Sequence, residues 1–258
     1  MNHLDRVIGF YEGEGDEDLR LQPGGAHFLE YTTAMRYLLM HLPKGGKVLD
    51  SCAGTGAYAF ALAGEGFPVT AGDIVPFNVE TMRKKQHGRA ALSEIYEGNA
   101  LYLSGFGDGA FDGVLCMGAL YHLPDEADRI RAVAEGLRVL RPGGVFAATY
   151  MNRYAVILNN SGGDLDNLDE ILMYARDGLE GVFFASTPRE TEKLMDDRGL
   201  EKLCHIALDG VVNFLHGTAG VLSHKGADRW SEFHKMTCED PSLLGYSYHN
   251  LYIGRKAL

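Results

Sequence analysis

Asp50-Ser51-Cys52-Ala53-Gly54-Thr55-Gly56 sets a carboxylate just ahead of a Gly-x-Gly turn, and Asp73 closes the next apolar run. Glycines at 54 and 56 let backbone approach a ligand where any Cβ would collide. Asp73 is positioned to accept hydrogen bonds from both hydroxyls of a ribose. A Gly-x-Gly turn is shared with dinucleotide-binding proteins, and Gly54-x-Gly56-x-x-Ala59 comes close to their spacing. Asp50 discriminates between the ligands. Beside the turn it would repel a pyrophosphate, whereas it suits an ammonium or sulfonium, so a cationic adenosyl ligand fits better than NAD.

Other reactive residue types are less organised. Tyr121-His122 follows an apolar strand, and a neutral histidine near its ordinary pKa can act as a general base at pH 7. The bland alternative is a histidine that orients the loop before Leu123-Pro124. Cys52 has no base beside it in sequence and reads as a small neutral residue. His205, His216, His224, His234 and Cys238 share no ligand motif; only His234 and Cys238 have one-face helical spacing, so no metal is expected. Asp73 could also cap a helix, a role that does not exclude the ribose.

These groups need a frame. A helix is expected over 26–42, where Phe28, Tyr31, Met35, Leu38, Leu39 and Leu42 recur at helical spacing before Pro43-Lys44-Gly45-Gly46. Strands are expected at 47–50, 68–72, 92–96, 111–117 and 145–150. Helices are expected at 57–65, at about 76–87, and from Pro124 to the Pro142-Gly143-Gly144 break. This alternation implies a parallel sheet with helices on both faces. It lapses over 151–186 and resumes with a helix at 187–198, a strand at 200–208, a helical stretch near 227–237 and a last strand at 246–253. Open parallel sheets bind ligands beyond the C-terminal ends of their strands. The glycine turn, Asp73, Asn99-Ala100 and Met117-Gly118 all fall at such ends.

The chain has 258 residues, 46% hydrophobic and 23% charged, with 24 Lys+Arg against 35 Asp+Glu and a net charge of −11. That is a folded-protein composition, with length enough for one large core. The acidity opposes a phosphate backbone or an anionic membrane, so neither nucleic acid nor membrane is expected as a partner. No run approaches about 18 uninterrupted apolar residues. The opening residues lack an apolar signal-like core and the four cysteines form no CxxC pair, so reduced thiols in the cytoplasm are the expectation.

The run LDSCAGTGAYA, with GDI, GNA, FDGVLCMGALYHL and LRPGG in that order over 47–150, resembles the class I S-adenosylmethionine-dependent methyltransferases. TPRETEKLMDDRGLE and YSYHNLYIGRK resemble the same fold's last helix and hairpin. The resemblance implies an α/β, doubly wound, mostly parallel seven-stranded sheet (a Rossmann-like methyltransferase fold) whose last strand is antiparallel. It implies one domain: a helical cover over 1–46, a cofactor-binding core over 47–150, a helical lid insert over 151–186, and closing helices and hairpin over 187–258. Asp50, Ala53, Gly54, Thr55 and Gly56 would line the methionine part. Asp73 and Ile74 would hold the ribose, Asn99 and Ala100 the adenine, and Met117 with Gly118 the side from ribose to sulfur. Tyr11, on a segment that also carries Arg20, would close over the cofactor, and Tyr121 and His122 would stand nearest the chemistry.

Two positions depart from the family pattern. Ala53 replaces a glycine, and Asn99 replaces an aspartate, with its side-chain oxygen expected on the adenine amine. The implied reaction is methyl transfer from S-adenosylmethionine to an O, N, S or C nucleophile of a small molecule. A nucleotide-dependent oxidoreductase and a non-catalytic S-adenosylmethionine-binding module are the alternatives. Segments 1–29 and 151–184 are expected to cover the site, with the acid-rich stretch 12–18 at a lid edge. Asp73→Ala is expected to weaken cofactor binding with the fold nearly intact.

Overall fold

The structure, a computed structural model, describes residues 2–13, 27–161, 168–212 and 224–258. Arg20, His216, residues 14–18 of the acid-rich stretch and residues 162–166 of the insert lie outside the described residues.

The order of elements is α1 (His3–Gly13), α2 (Phe28–His41), β1 (Val48–Asp50), α3 (Ala57–Gly64), β2 (Val69–Asp73), α4 (Pro76–Lys85), β3 (Glu94–Glu97) and β4 (Phe111–Cys116). It continues with α5 (Glu126–Val139), β5 (Leu140–Asn152), α6 (Arg153–Ser161), α7 (Leu168–Asp177), β6 (Leu179–Glu180) and β7 (Phe183–Ser186). The chain closes with α8 (Pro188–Asp196), β8 (Leu200–Ala207), α9 (His224–Thr237), α10 (Pro241–Leu244) and β9 (His249–Lys256).

Strands β3-β2-β1-β4-β5 run parallel in that order. β9 then pairs antiparallel with β5, and β8 antiparallel with β9. The expected seven strands and the antiparallel last strand are therefore present. Every residue of β1 and β2 is buried, as a sheet covered on both faces demands. Side chains alternate between two cores. Val48, Leu115 and Ala147 join Leu38, Leu62 and Met82 on one face, while Leu49, Val114 and Phe146 join Val133, Val139 and Met195 on the other.

Three boundaries differ from the sequence reading. β5 begins at Leu140, so Pro142-Gly143-Gly144 lies inside the strand rather than ahead of it. The pairing jumps from Phe111↔Leu140 to Gly113↔Val145, and this irregularity absorbs the proline and the glycines. The insert is not wholly helical. β6 and β7 form a short hairpin whose second strand extends the sheet beside Met151 and Asn152. The last strand starts at His249, because residues 241–248 first form α10 and a turn. Among the described residues no helix is long and apolar enough to cross a membrane.

Gly72 shows how tightly the strand ends are filled. A Cβ there would stand 2.6 Å or less from three atoms of the Tyr96 ring, which lies flat over the glycine. Gly72→Ala should therefore lower stability by about 1–3 kcal/mol, the range for overpacking a core. Urea denaturation measures it, and an unchanged midpoint would mean that Tyr96 swings away freely.

Candidate active site

Strand order reverses between β1 and β4, and the two loops leaving their C-terminal ends part there to open a crevice. The pocket in that crevice gathers Tyr11, Ala53, Gly54, Thr55, Asp73, Ile74, Asn99, Ala100, Met117, Gly118, Tyr121 and His122. Asp50 and Gly56 do not reach its surface.

Gly56 acts one layer behind. Its φ of 90° starts α3 from a left-handed conformation, and a Cβ would meet the Phe60 ring at 2.8 Å. Gly54 has φ 54° and open space where its Cβ would stand, so it is the glycine that bares backbone to the pocket.

Asp73 ties the walls together. Its Oδ2 accepts from the Gly54 amide at 2.7 Å, and its Oδ1 accepts from the Val75 amide at 2.9 Å and the Asn78 side-chain amide at 3.1 Å. Both readings of this residue hold at the level of position: it steadies the start of α4 and it lines the pocket. Asn78, which the sequence reading passed over, also lines the pocket and keeps a buried Oδ1 with no hydrogen-bond partner. Its only signal in the sequence is its place in the first turn of a helix that follows an acid-tipped strand.

Asn99 uses its side chain differently from the expectation. Its Oδ1 accepts from the Leu101 amide at 2.9 Å, closing a local turn. The side-chain nitrogen remains as a donor, which suits an acceptor nitrogen of a purine ring better than an amine.

Asp50 is 1% exposed, and neither carboxylate oxygen has a hydrogen-bond partner. Burial pushes its carboxyl up to about 7, with the nearby Cys52 amide opposing the shift and the charge on Asp73 adding to it. Cys52 is held as a thiol: the neighbouring Cys116 thiol and burial both raise its pKa well above the ordinary value. It is no nucleophile.

Helix α1 lies across the mouth. His3, Leu4 and Val7 line the pocket, Arg6 donates to the Gly181 carbonyl at 2.9 Å, and Phe10 meets Phe183 edge-on. His122 is the clasp. Its Nδ1 lies 3.1 Å from the Val182 carbonyl, which can only accept, so that nitrogen carries the proton. In the neutral ring Nε2 is then an acceptor, and the Tyr11 hydroxyl donates to it at 2.8 Å. The backbone carbonyl of His122 in turn accepts from His3 Nε2 at 3.0 Å. Tyr121 packs its ring against both His122 and Phe183.

Three of the residues weighed for metal stand elsewhere. His205 is buried between Glu192 and Tyr150, at 3.0 and 2.8 Å. His234 sits against Gly210, and Cys238 meets the Tyr37 hydroxyl at 3.4 Å.

Residues 49–148 match the family model described as a methyltransferase domain. A glycine/sarcosine N-methyltransferase of Parasynechococcus marenigrum is 32% identical over 106 residues, 41% of this chain and 38% of that protein. A ubiquinone biosynthesis O-methyltransferase of Xanthomonas oryzae pv. oryzae is 36% identical over 111 residues, 42% and 44% of the two chains. The chain thus matches less than half the length of these curated relatives. A SAM-dependent methyltransferase of Methanosarcina mazei has the same fold, with a TM-score of 0.61 at 18% identity over 86% of this chain and 97% of that one. Residues 49–148 are thus similar to a methyltransferase domain, on a fold shared with that neighbour, and the cofactor they imply is S-adenosylmethionine.

The residues present fit that cofactor. Gly54 leaves a gap that a Cβ would fill, Asn78 keeps an unpartnered acceptor at the pocket, and no lysine or arginine is among the described lining residues, as a cationic ligand prefers.

Asp73→Ala should do more than weaken the cofactor. Removing the carboxylate strands the Gly54 and Val75 amides, so stability should fall by at least about 1.5–3 kcal/mol, the worth of one charge-assisted hydrogen bond. Affinity for S-adenosylhomocysteine should fall about ten-fold or more. Denaturation and calorimetry read the two effects separately, and unchanged stability would show that other groups hold the turn. Asp50 gives a pH signature. Its folded pKa lies above the unfolded value, so the stability present below about pH 4 is lost as pH rises through about 7. The loss is on the order of 4 kcal/mol. Asp50→Asn does not titrate, so its stability relative to the parent should climb between about pH 4 and 7 and then level off. A difference independent of pH would place Asp50 in contact with solvent.

Proposed function

We propose that this protein transfers the sulfonium methyl of S-adenosylmethionine to an O, N, S or C nucleophile of a small molecule. The single observation that carries this reading is the pocket at the sheet's switch point, with an open Gly54, Asp73 and Asn78 on one wall and a cover of Tyr11 and His122 on the other. When bound, S-adenosylmethionine supplies an electrophilic methyl on a sulfonium whose leaving thioether needs no acid.

The chain's own work is then alignment and exclusion of water. Gly54 admits backbone to the methionine end, and Asp50 stands behind it as a carboxylate that a cationic ligand would favour in its ionised form. Asp73 and Asn78 offer acceptors for ribose hydroxyls, and the Asn99 side-chain nitrogen offers a donor for adenine. Met117 and Gly118 face the side from ribose to sulfur. α1 and the β6–β7 hairpin act as the cover, tied down through His122.

His122 carries a holding role in this reading rather than a direct one. Its Nε2 lone pair already faces the Tyr11 hydroxyl, so a proton from the acceptor reaches it only through Tyr11 or after α1 lifts. Tyr121 shapes the acceptor side. The acidic pocket disfavours a dinucleotide pyrophosphate and a nucleic-acid acceptor alike. The curated relatives are by name a glycine/sarcosine N-methyltransferase and a ubiquinone biosynthesis O-methyltransferase, which supports a small-molecule acceptor here. The cytoplasm is the compartment this reading assigns, supported by four unbridged cysteines.

Pure protein incubated with methyl-labelled S-adenosylmethionine and panels of amines, phenols, thiols and carboxylates should label one panel and leave RNA and DNA unlabelled. Calorimetry should show one S-adenosylhomocysteine site per chain. Binding without transfer to any panel would reduce the protein to a binding module, and binding of NAD(P)H in place of S-adenosylhomocysteine would overturn the reading altogether.

A further inference from the structure

Beside the pocket, on the far side of Tyr121, lies a second cluster that the methyl-transfer chemistry does not use. His27, just ahead of α2, and Glu30, in the helix's first turn, meet His249 at the start of β9. One donor atom from each lies within 4.8 Å of the others. Glu30 Oε2 is 3.0 Å from His27 Nδ1 and 3.4 Å from His249 Nδ1. His249 Nδ1 is also 3.1 Å from Asp209 Oδ2. The Tyr121 ring packs on His249, which places the cluster one side chain away from the cofactor pocket.

We propose that His27, Glu30 and His249 bind one divalent transition-metal ion of the Zn2+ class, with Asp209 holding His249 from outside the ligand set. Two imidazole nitrogens and carboxylate oxygens are the donors such an ion prefers. Ligands about 2.0–2.1 Å from a tetrahedral ion stand roughly 3.3–3.4 Å from one another. The Glu30 oxygen stands 3.0 and 3.4 Å from the two imidazole nitrogens, close to that spacing.

Charge points the same way. Glu30 and Asp209 bring two carboxylates, each with a side chain only 5% exposed, to the same histidine. A buried carboxylate standing between imidazole nitrogens is a donor set that a divalent ion of this class favours. Hydrogen bonding from one histidine to each carboxylate accounts for two of the contacts. Both Nδ1 atoms also converge on the same Glu30 oxygen, which gathers three donor atoms around one point. The acidic partner is also oriented from behind: Asp209 Oδ1 accepts from the Ser247 hydroxyl at 2.6 Å and the Tyr248 amide at 2.8 Å, which leaves Oδ2 turned to His249. Support of this kind, from outside the ligand set, is what fixes ligands in metal sites. With three protein ligands the fourth position is left to water, and the ion joins the start of α2 to β9 next to the acceptor side of the pocket.

The test uses the whole chain, treated with a chelator and then titrated with Zn2+ by calorimetry and with Co2+ by visible absorption. One ion per chain is expected, with Co2+ giving the ligand-field bands of a low-coordinate nitrogen and oxygen site, and Zn2+ raising Tm. His27→Ala, at a position whose side chain is 31% exposed, and Glu30→Gln should each weaken Zn2+ binding by at least about 10-fold, the scale of even an outer-ligand loss. Circular dichroism and S-adenosylhomocysteine binding by the metal-free variants establish that they are folded, and they report on the methyl-transfer reading separately. Failure of the folded parent to bind either ion, or binding that survives both substitutions, would overturn the proposal.

Discussion

One carboxylate at the end of β2 holds the cofactor side of this molecule in shape. Asp73 receives the Gly54 amide from the first loop, the Val75 amide from its own loop and the Asn78 side chain from α4. Three donors on a charged group that is 7% exposed make a rigid junction, since each hydrogen bond to an ionised acceptor is strong and the low local dielectric strengthens it further. The left-handed Gly54 and Gly56 can sit as they do because that junction fixes the loop between β1 and α3. The open face of Gly54, the start of α4 and the lining Asn78 all take their places from it.

The opposite wall depends on a weaker device. α1 is short and contributes one fully buried apolar side chain, Val7, so its place is set by polar links to the rest of the chain: Tyr11 and His3 to His122, and Arg6 to Gly181. Of these, the neutral hydrogen bonds through His122 are each worth about 0.5–1.5 kcal/mol. A cover held that lightly can admit and release a ligand, which a closed core could not. The contrast between a charged, buried junction on one wall and a neutral, half-buried clasp on the other is the physical division of labour in the site.

Much of this was legible in residue order. Apolar runs between glycine and proline punctuation marked β1, β2, β4 and most helices, because strands covered on both faces must be apolar and each turn must be made by residues that tolerate it. That alternation implied a parallel sheet with helices on both faces, and the resemblance to the methyltransferase family implied its seven strands and the residues expected around the site. Boundaries failed where pairing, not composition, decides. Pro142-Gly143-Gly144 reads as a break, yet β5 carries it as an irregularity against β4. The pair β6–β7 was invisible because two-residue and four-residue strands are defined by their neighbours. Roles were less legible where a side chain has more than one partner to choose from: the Asn99 oxygen accepts from the Leu101 amide, and Asp73 accepts from the Gly54 amide.

By itself the sequence determined the class of fold, the switch-point loops and the chemical types set around them, since local conformation and hydrophobic period are written in neighbouring residues. Tertiary structure alone decided which groups meet across the chain. It set Asp50 behind the pocket wall with unpartnered oxygens, turned His122 toward Tyr11, and brought His27, Glu30 and His249 to one point. No spacing rule encodes those encounters. They arise when strands far apart in the chain become neighbours in the sheet, and only then do burial and pairing settle what each charge can do.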